Sequence, residues 1–244
     1  MNLNPMHQFE VYKIGPEINL GGINLSFTNA SLFMAISTLL ILSFLYFGTK
    51  KKSLVPSKIQ LITEMSYTFV AKMINETAGS NAKSFFPFVF TLFMFVLFCN
   101  MVGMLPYSFT VTSHIIVTFF LAAIVFVGIT VIGFAKHGFK YLELFVPKGV
   151  PAILLPLIVI IEIISYLSRP VSLSVRLFAN MMAGHTMLKV FGGFVISLGL
   201  LGGWLPLGFS IALTGLEILV AFLQAYVFAI LTCIYLNDAL NLHH

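Results

Sequence analysis

Six ionisable side chains, Glu162, Arg169, Arg176, His185, Lys189 and Glu217, lie inside the two longest apolar stretches of the chain, about 151–191 and 205–236. On insertion scales an arginine at the centre of a bilayer costs about 2.5–3.5 kcal/mol, so such residues are rare there and mark ion or proton paths. The plainer alternative is a snorkelling or structurally paired charge near a helix end, which suits Lys189 and Arg169. It suits Arg176 poorly.

Spacing divides these residues between surfaces. Glu162, Arg169 and Arg176 are seven apart, and seven residues fall only about 20° short of two helical turns. They share a stripe, with Asn180 near it. His185 is nine residues beyond Arg176, about two and a half turns, and points the opposite way. Folding the two stretches antiparallel levels Arg176 with Gln224, Glu162 with Asp238 and His185 with Glu217, to within about 3 Å of helix rise. The turn of that hairpin falls at Leu200, inside the glycine-rich FGGFVISLGLLGGW.

The level pairs make chemical sense. A histidine beside a carboxylate can exchange a proton near neutral pH. An arginine stays charged and acts only as a fixed positive field, beside which Gln224 can hydrogen-bond without neutralising it. Glu162 and Asp238 have two readings: carboxylates that hydrate a way out at the hairpin's far end, or ordinary interfacial carboxylates.

The elements that must hold these residues follow from composition. Of 244 residues 59% are hydrophobic and 9% charged, 26 are Phe, and mean hydropathy is +1.03. No soluble domain hides that much apolar surface, so the fold class is an all-α integral membrane protein, read as a single membrane domain over 1–244. About five membrane-embedded helices are predicted. Spans fall near 30–47, 85–105 and 114–135, followed by a long tilted antiparallel hairpin over 151–238 that Pro156 and Pro170 can bend. An amphipathic helix, IQLITEMSYTFVAKMINETA over 59–78, lies on the membrane surface or against other spans.

Loop charge sets the orientation. Lys50, Lys51 and Lys52 follow the first span and Lys136, Lys140 and Lys148 the third, whereas PYSFTVTS between the second and third carries no Lys or Arg. The basic loops belong on the cytoplasmic or matrix (N) side, which places the N-terminus on the opposite (P) side and the C-terminus on the N side. A lysine run beside a span is a topology signal, not a nucleic-acid site. The start, MNLNPMHQFEVYKIG, has neither the basic nor the apolar region of a signal peptide. Cys99 and Cys233 read as packing residues, Asn100 as a helix-packing hydrogen bonder or a lining of the P-side path, and His114 as an interfacial cap or a relay. His243 and His244 lack the further ligands a metal site needs.

Two motifs carry a resemblance. RPVSLSVRLFANMMAGH and LTGLEILVAFLQAYVFAILTCIYLNDALN closely resemble the a subunit of F-type ATP synthases, and FCNMVGMLPYSFTVTSH and NPMHQFEV extend the likeness more weakly over nearly the whole chain. The resemblance implies a non-catalytic stator subunit of the Fo sector in an energy-coupling inner membrane, mitochondrial or bacterial. Its two offset aqueous half-channels would carry protons to and from a ring of c subunits, coupling the gradient to rotation. It implies that Arg176 is the essential arginine facing the ring, that Gln224 and Asn180 lie near it, and that His185 and Glu217 line the P-side path. The His and Glu stand in the order of mitochondrial and alphaproteobacterial forms. Implied partners are the c-subunit ring, a peripheral-stalk b-type subunit, other Fo subunits, lipid and protons, with no cofactor and no nucleic acid. Two other classes compete: a stand-alone transporter, for which internal repeats are missing, and an intramembrane enzyme built on His185 and Glu217, for which HExxH and GxSxG are missing.

Overall fold

A computed structural model describes residues 9–14, 19–20, 23–24, 26–50, 56–105, 108–146 and 154–241. Lys51, Lys52, Lys148, Pro151, His243 and His244 lie outside the described residues. Helices dominate. The strands among the described residues are β1 (Asn19–Leu20) and β2 (Ile23–Asn24), a short antiparallel pair ahead of the first helix.

The helices are α1 (Asn29–Lys50), α2 (Lys58–Thr77), α3 (Phe86–Gly103), α4 (Ile115–His137), α5 (Leu155–Gly202) and α6 (Trp204–Leu240). Among the described residues, five segments are long and apolar enough to cross a membrane: 29–50, 82–103, 115–142, 155–199 and 204–240. Their ends follow local chemistry. Proline sits in the first turn of α3 and of α5, where its missing N–H is not needed. The Ser57 hydroxyl caps α2 by accepting from the Gln60 amide. Gly138 ends α4 at φ 57°, a left-handed conformation open to glycine.

The amphipathic α2 packs against other spans rather than standing alone. It buries Thr63, Val70, Met73 and Ile74 and turns the Lys72–Glu76 ion pair outward. Thr63 sits directly on Gly48 of α1, where a Cβ would collide with it. Phe69 meets Phe93 of α3 at 5.7 Å, and Phe222 and Tyr226 of α6 at 6.0 and 5.7 Å. Val89, Phe93, Leu177, Met181 and Phe228, from α3, α5 and α6, belong to one buried core.

The long hairpin turns at Gly199, whose φ of 61° breaks the helical path. That agrees with a turn at Leu200. The glycine-rich stretch is helical on both sides of the break, because glycine is readily accommodated in membrane helices. The 45 residues of Leu155–Gly199 span about 67 Å of helix, more than twice the ~30 Å hydrocarbon core, so α5 runs steeply tilted or beyond the membrane. At the far end Lys136 Nζ donates to the Leu240 carbonyl at 3.0 Å and His137 Nε2 lies 3.2 Å from it. The C-terminal ends of α4 and α6 are therefore on one side, and a cation meets the negative end of α6.

Candidate functional site

Helix α5 has two unlike faces. Tyr166, Leu173, Ser174, Leu177 and Met181 are buried at helical spacing, and Ser174 Oγ lies 3.2 Å from Thr118 Oγ1 of α4. Arg176 lies on the opposite, exposed face with Ala179 and Ala183. Among the described residues it has neither an ion pair nor a hydrogen-bond partner. Asn180 and Gln224 are half-buried, and no hydrogen bond joins either to Arg176. Glu162 is half-buried and also without an ion pair among the described residues.

His185 and Glu217 come together on the inner side. Nδ1 of His185 is 2.8 Å from Oε1 of Glu217, with the side chains 11% and 5% exposed. Apart from that contact, neither Glu217 oxygen has a hydrogen-bond partner among the described residues. A buried carboxylate in that position needs either a proton or the imidazolium beside it. Two neighbours position the pair. Gly184 leaves space for the carboxylate, since a Cβ there would stand 2.8 Å from Oε1. Asn100, fully buried in α3, donates to the Ala221 carbonyl at 3.2 Å, one turn beyond Glu217 on α6.

The other ring nitrogen has a partner that sequence reasoning missed. Nε2 of His185 is 2.8 Å from Thr110 Oγ1, and Thr110 also donates to the Gly103 carbonyl at 3.1 Å. Thr110 sits in the segment between α3 and α4, where neither periodicity nor spacing could place it. Next to it His114 stacks on Phe109 at 4.9 Å. Burial pushes the His114 imidazole below its usual range, and its Nε2 has no hydrogen-bond partner among the described residues.

Asp238 has a different partner from the one its depth predicted. Its Oδ2 accepts from Arg169 Nη1 at 3.0 Å, with side-chain exposures of 35% and 22%. The guanidinium lies over the rings of Tyr166 and Tyr235, 5.3 and 4.9 Å from their centroids. Tyr166 in turn meets Thr130 at 2.7 Å and Tyr141 at 2.9 Å. Two carboxylates gain nothing by facing each other, whereas Arg169 and Asp238 attract, and their extended side chains together bridge the roughly 7–10 Å of helix rise between their levels. Attraction overrides level register here.

Comparison with known proteins decides what this constellation belongs to. The family described as ATP synthase A chain matches residues 31–237. Over its whole length the chain is 78% identical to the ATP synthase subunit a of Pelagibacter ubique, covering all of that protein. Over 99% of its length it is 61% identical to that of Rhizobium leguminosarum bv. trifolii, covering 98%, and 57% identical to that of Mesorhizobium japonicum, covering 98%. The chain belongs to the ATP synthase A chain family.

Membership makes it a multi-pass, non-catalytic subunit of the synthase's Fo sector that translocates protons. The F-type resemblance of RPVSLSVRLFANMMAGH therefore holds for the chain as a whole.

Proposed function

We propose that the 151–238 hairpin, within one membrane domain over 1–244, divides proton movement between two offset half-channels. The observation that carries this is the separation on α5: Arg176 on the exposed face, unpaired among the described residues, and His185 with Glu217 enclosed on the other. Protons enter from the P side through His185 and Glu217 and reach a carboxylate of the c-subunit ring. Arg176 faces that ring. Its fixed charge favours the ionised carboxylate at the crossing and repels protons that would run straight from one half-channel to the other. Gln224 and Asn180 flank it as neutral hydrogen bonders.

The N-side exit falls to Glu162, a carboxylate of the hairpin without a counter-ion among the described residues. Asp238 lies at the same end but is held by Arg169, so it shapes the exit and pins the hairpin. The N-terminus lies on the P side and the C-terminus on the N side of a bacterial cytoplasmic membrane, and a b-type peripheral-stalk subunit holds the chain against rotation. In vesicles carrying the assembled complex, Arg176→Ala abolishes ATP-driven proton pumping. Normal coupled pumping in that variant would overturn the reading.

A further inference from the structure

The Gly103 carbonyl lies in the last turn of α3, where carbonyls have no intrahelical donor. It accepts instead from the hydroxyls of Thr110 and Ser108, at 3.1 and 3.0 Å. Ser108 stands closer to the Leu105 carbonyl, at 2.7 Å. Glycine permits the approach, because a Cβ at 103 would meet Thr110 Cγ2 at 2.7 Å and Oγ1 at 3.0 Å. A carbonyl can only accept, and a hydroxyl has one hydrogen to give. With that hydrogen committed to Gly103, Thr110 offers His185 only lone pairs.

We infer that Thr110 is a positioning residue that locks the tautomer of His185, keeping a permanent hydrogen on Nε2 and turning Nδ1, the nitrogen that exchanges protons, toward Glu217. The inference rests on the proton-path reading of His185 and Glu217. Four groups then form one directed line: the Gly103 carbonyl accepts from Thr110, Thr110 accepts from Nε2–H, and Nδ1 faces Oε1 of Glu217 across 2.8 Å. The proton balance is simple. One proton is shared between Nδ1 and Oε1, giving an imidazolium with a carboxylate or a neutral ring with a carboxylic acid. Passing it on leaves the carboxylate and a neutral ring still carrying Nε2–H. The next proton from the P-side water restores the pair, with no ring flip and no tautomer exchange. Thr110 is 5% exposed, so bulk water does not compete for the ring nitrogen.

The test uses the assembled synthase in membranes, labelled with ¹⁵N-histidine, with the His185 signal assigned by its loss in His185→Gln. Above the imidazole titration range the expected signature is a protonated Nε2 and a bare Nδ1. Thr110→Val, which keeps the shape and removes the hydroxyl, is expected to lower ATP-driven pumping about tenfold, the equivalent of one hydrogen bond to a charged group. Thr110→Ser is expected to stay within about twofold of the parent. A bare Nε2 in the parent protein, or undiminished pumping in Thr110→Val, overturns the assignment. Wild-type pumping in His185→Gln overturns the proton-path reading itself and the inference with it. The Nδ1–H tautomer in the parent, with His185→Gln inactive, overturns the role of Thr110 alone.

Discussion

Substitution of Gly184 by alanine separates proton-path geometry from stability. In the middle of a helix alanine is favoured over glycine by about 1 kcal/mol, so α5 itself gains. The added Cβ, however, would stand 2.8 Å from Oε1, 3.1 Å from Cδ and 3.3 Å from Cγ of Glu217. Ordinary contact needs about 3.5 Å, so the carboxylate must retreat by about 0.5–0.7 Å. A flexible side chain yields cheaply in energy, but its movement stretches the 2.8 Å contact with His185 past hydrogen-bond range. Losing a hydrogen bond between charged partners is worth about 1.5–3 kcal/mol, or about 10- to 100-fold in the transfer step. Gly184→Ala is therefore expected to assemble normally, judged by the c ring that purifies with it, while ATP-driven acidification of inverted vesicles falls at least tenfold. Assembled complex that pumps within twofold of the parent would refute the claim that this glycine is kept for the carboxylate.

Two further predictions concern stability. In heat denaturation of the purified complex, Arg169→Gln and Asp238→Asn should couple by about 1 kcal/mol in a double-mutant cycle, because the pair is only partly shielded from solvent. Arg169→Gln should be the more damaging single change, since it also removes the cation from two tyrosine rings; strict additivity would refute the pairing. For His114, burial lowers the folded-state pKa, so between that value and about 6.5 the unfolded chain binds more protons than the folded one. Its contribution is whole above pH about 6.5 and is lost as pH falls through the lowered folded value. Amide protection over 108–114, with intrinsic exchange rates divided out, should fall on acidification in that window and lose this dependence in His114→Gln; equal responses of the two proteins would refute it.

The helices were legible because membrane spans announce themselves by length and hydropathy. The turn near Leu200 and the meeting of His185 with Glu217 were legible because helix rise is constant, so residue number converts to depth. The same arithmetic failed for Asp238. Depth says nothing of side-chain reach, and the Arg169 guanidinium was long enough to claim a carboxylate that Glu162 could not stabilise. Thr110 left no trace in the pattern, since the path of an irregular segment is set by what it packs against. The signals available were indirect: Gly103 and Gly184, each standing where a neighbour's polar side chain must come close.

Arg176 also sets a condition on biogenesis. A chain inserted alone presents this guanidinium to lipid without an anion among the described residues, and long-lived exposure of that kind costs about 2.5–3.5 kcal/mol on insertion scales. If Arg176 faces the ring as proposed, a rotor bearing the opposite charge relieves that cost at once. On the proposed reading an orphan copy is thus thermodynamically marked, most stable only once the ring covers it, and the residue proposed to enforce directional transport doubles as a check on assembly of the membrane sector.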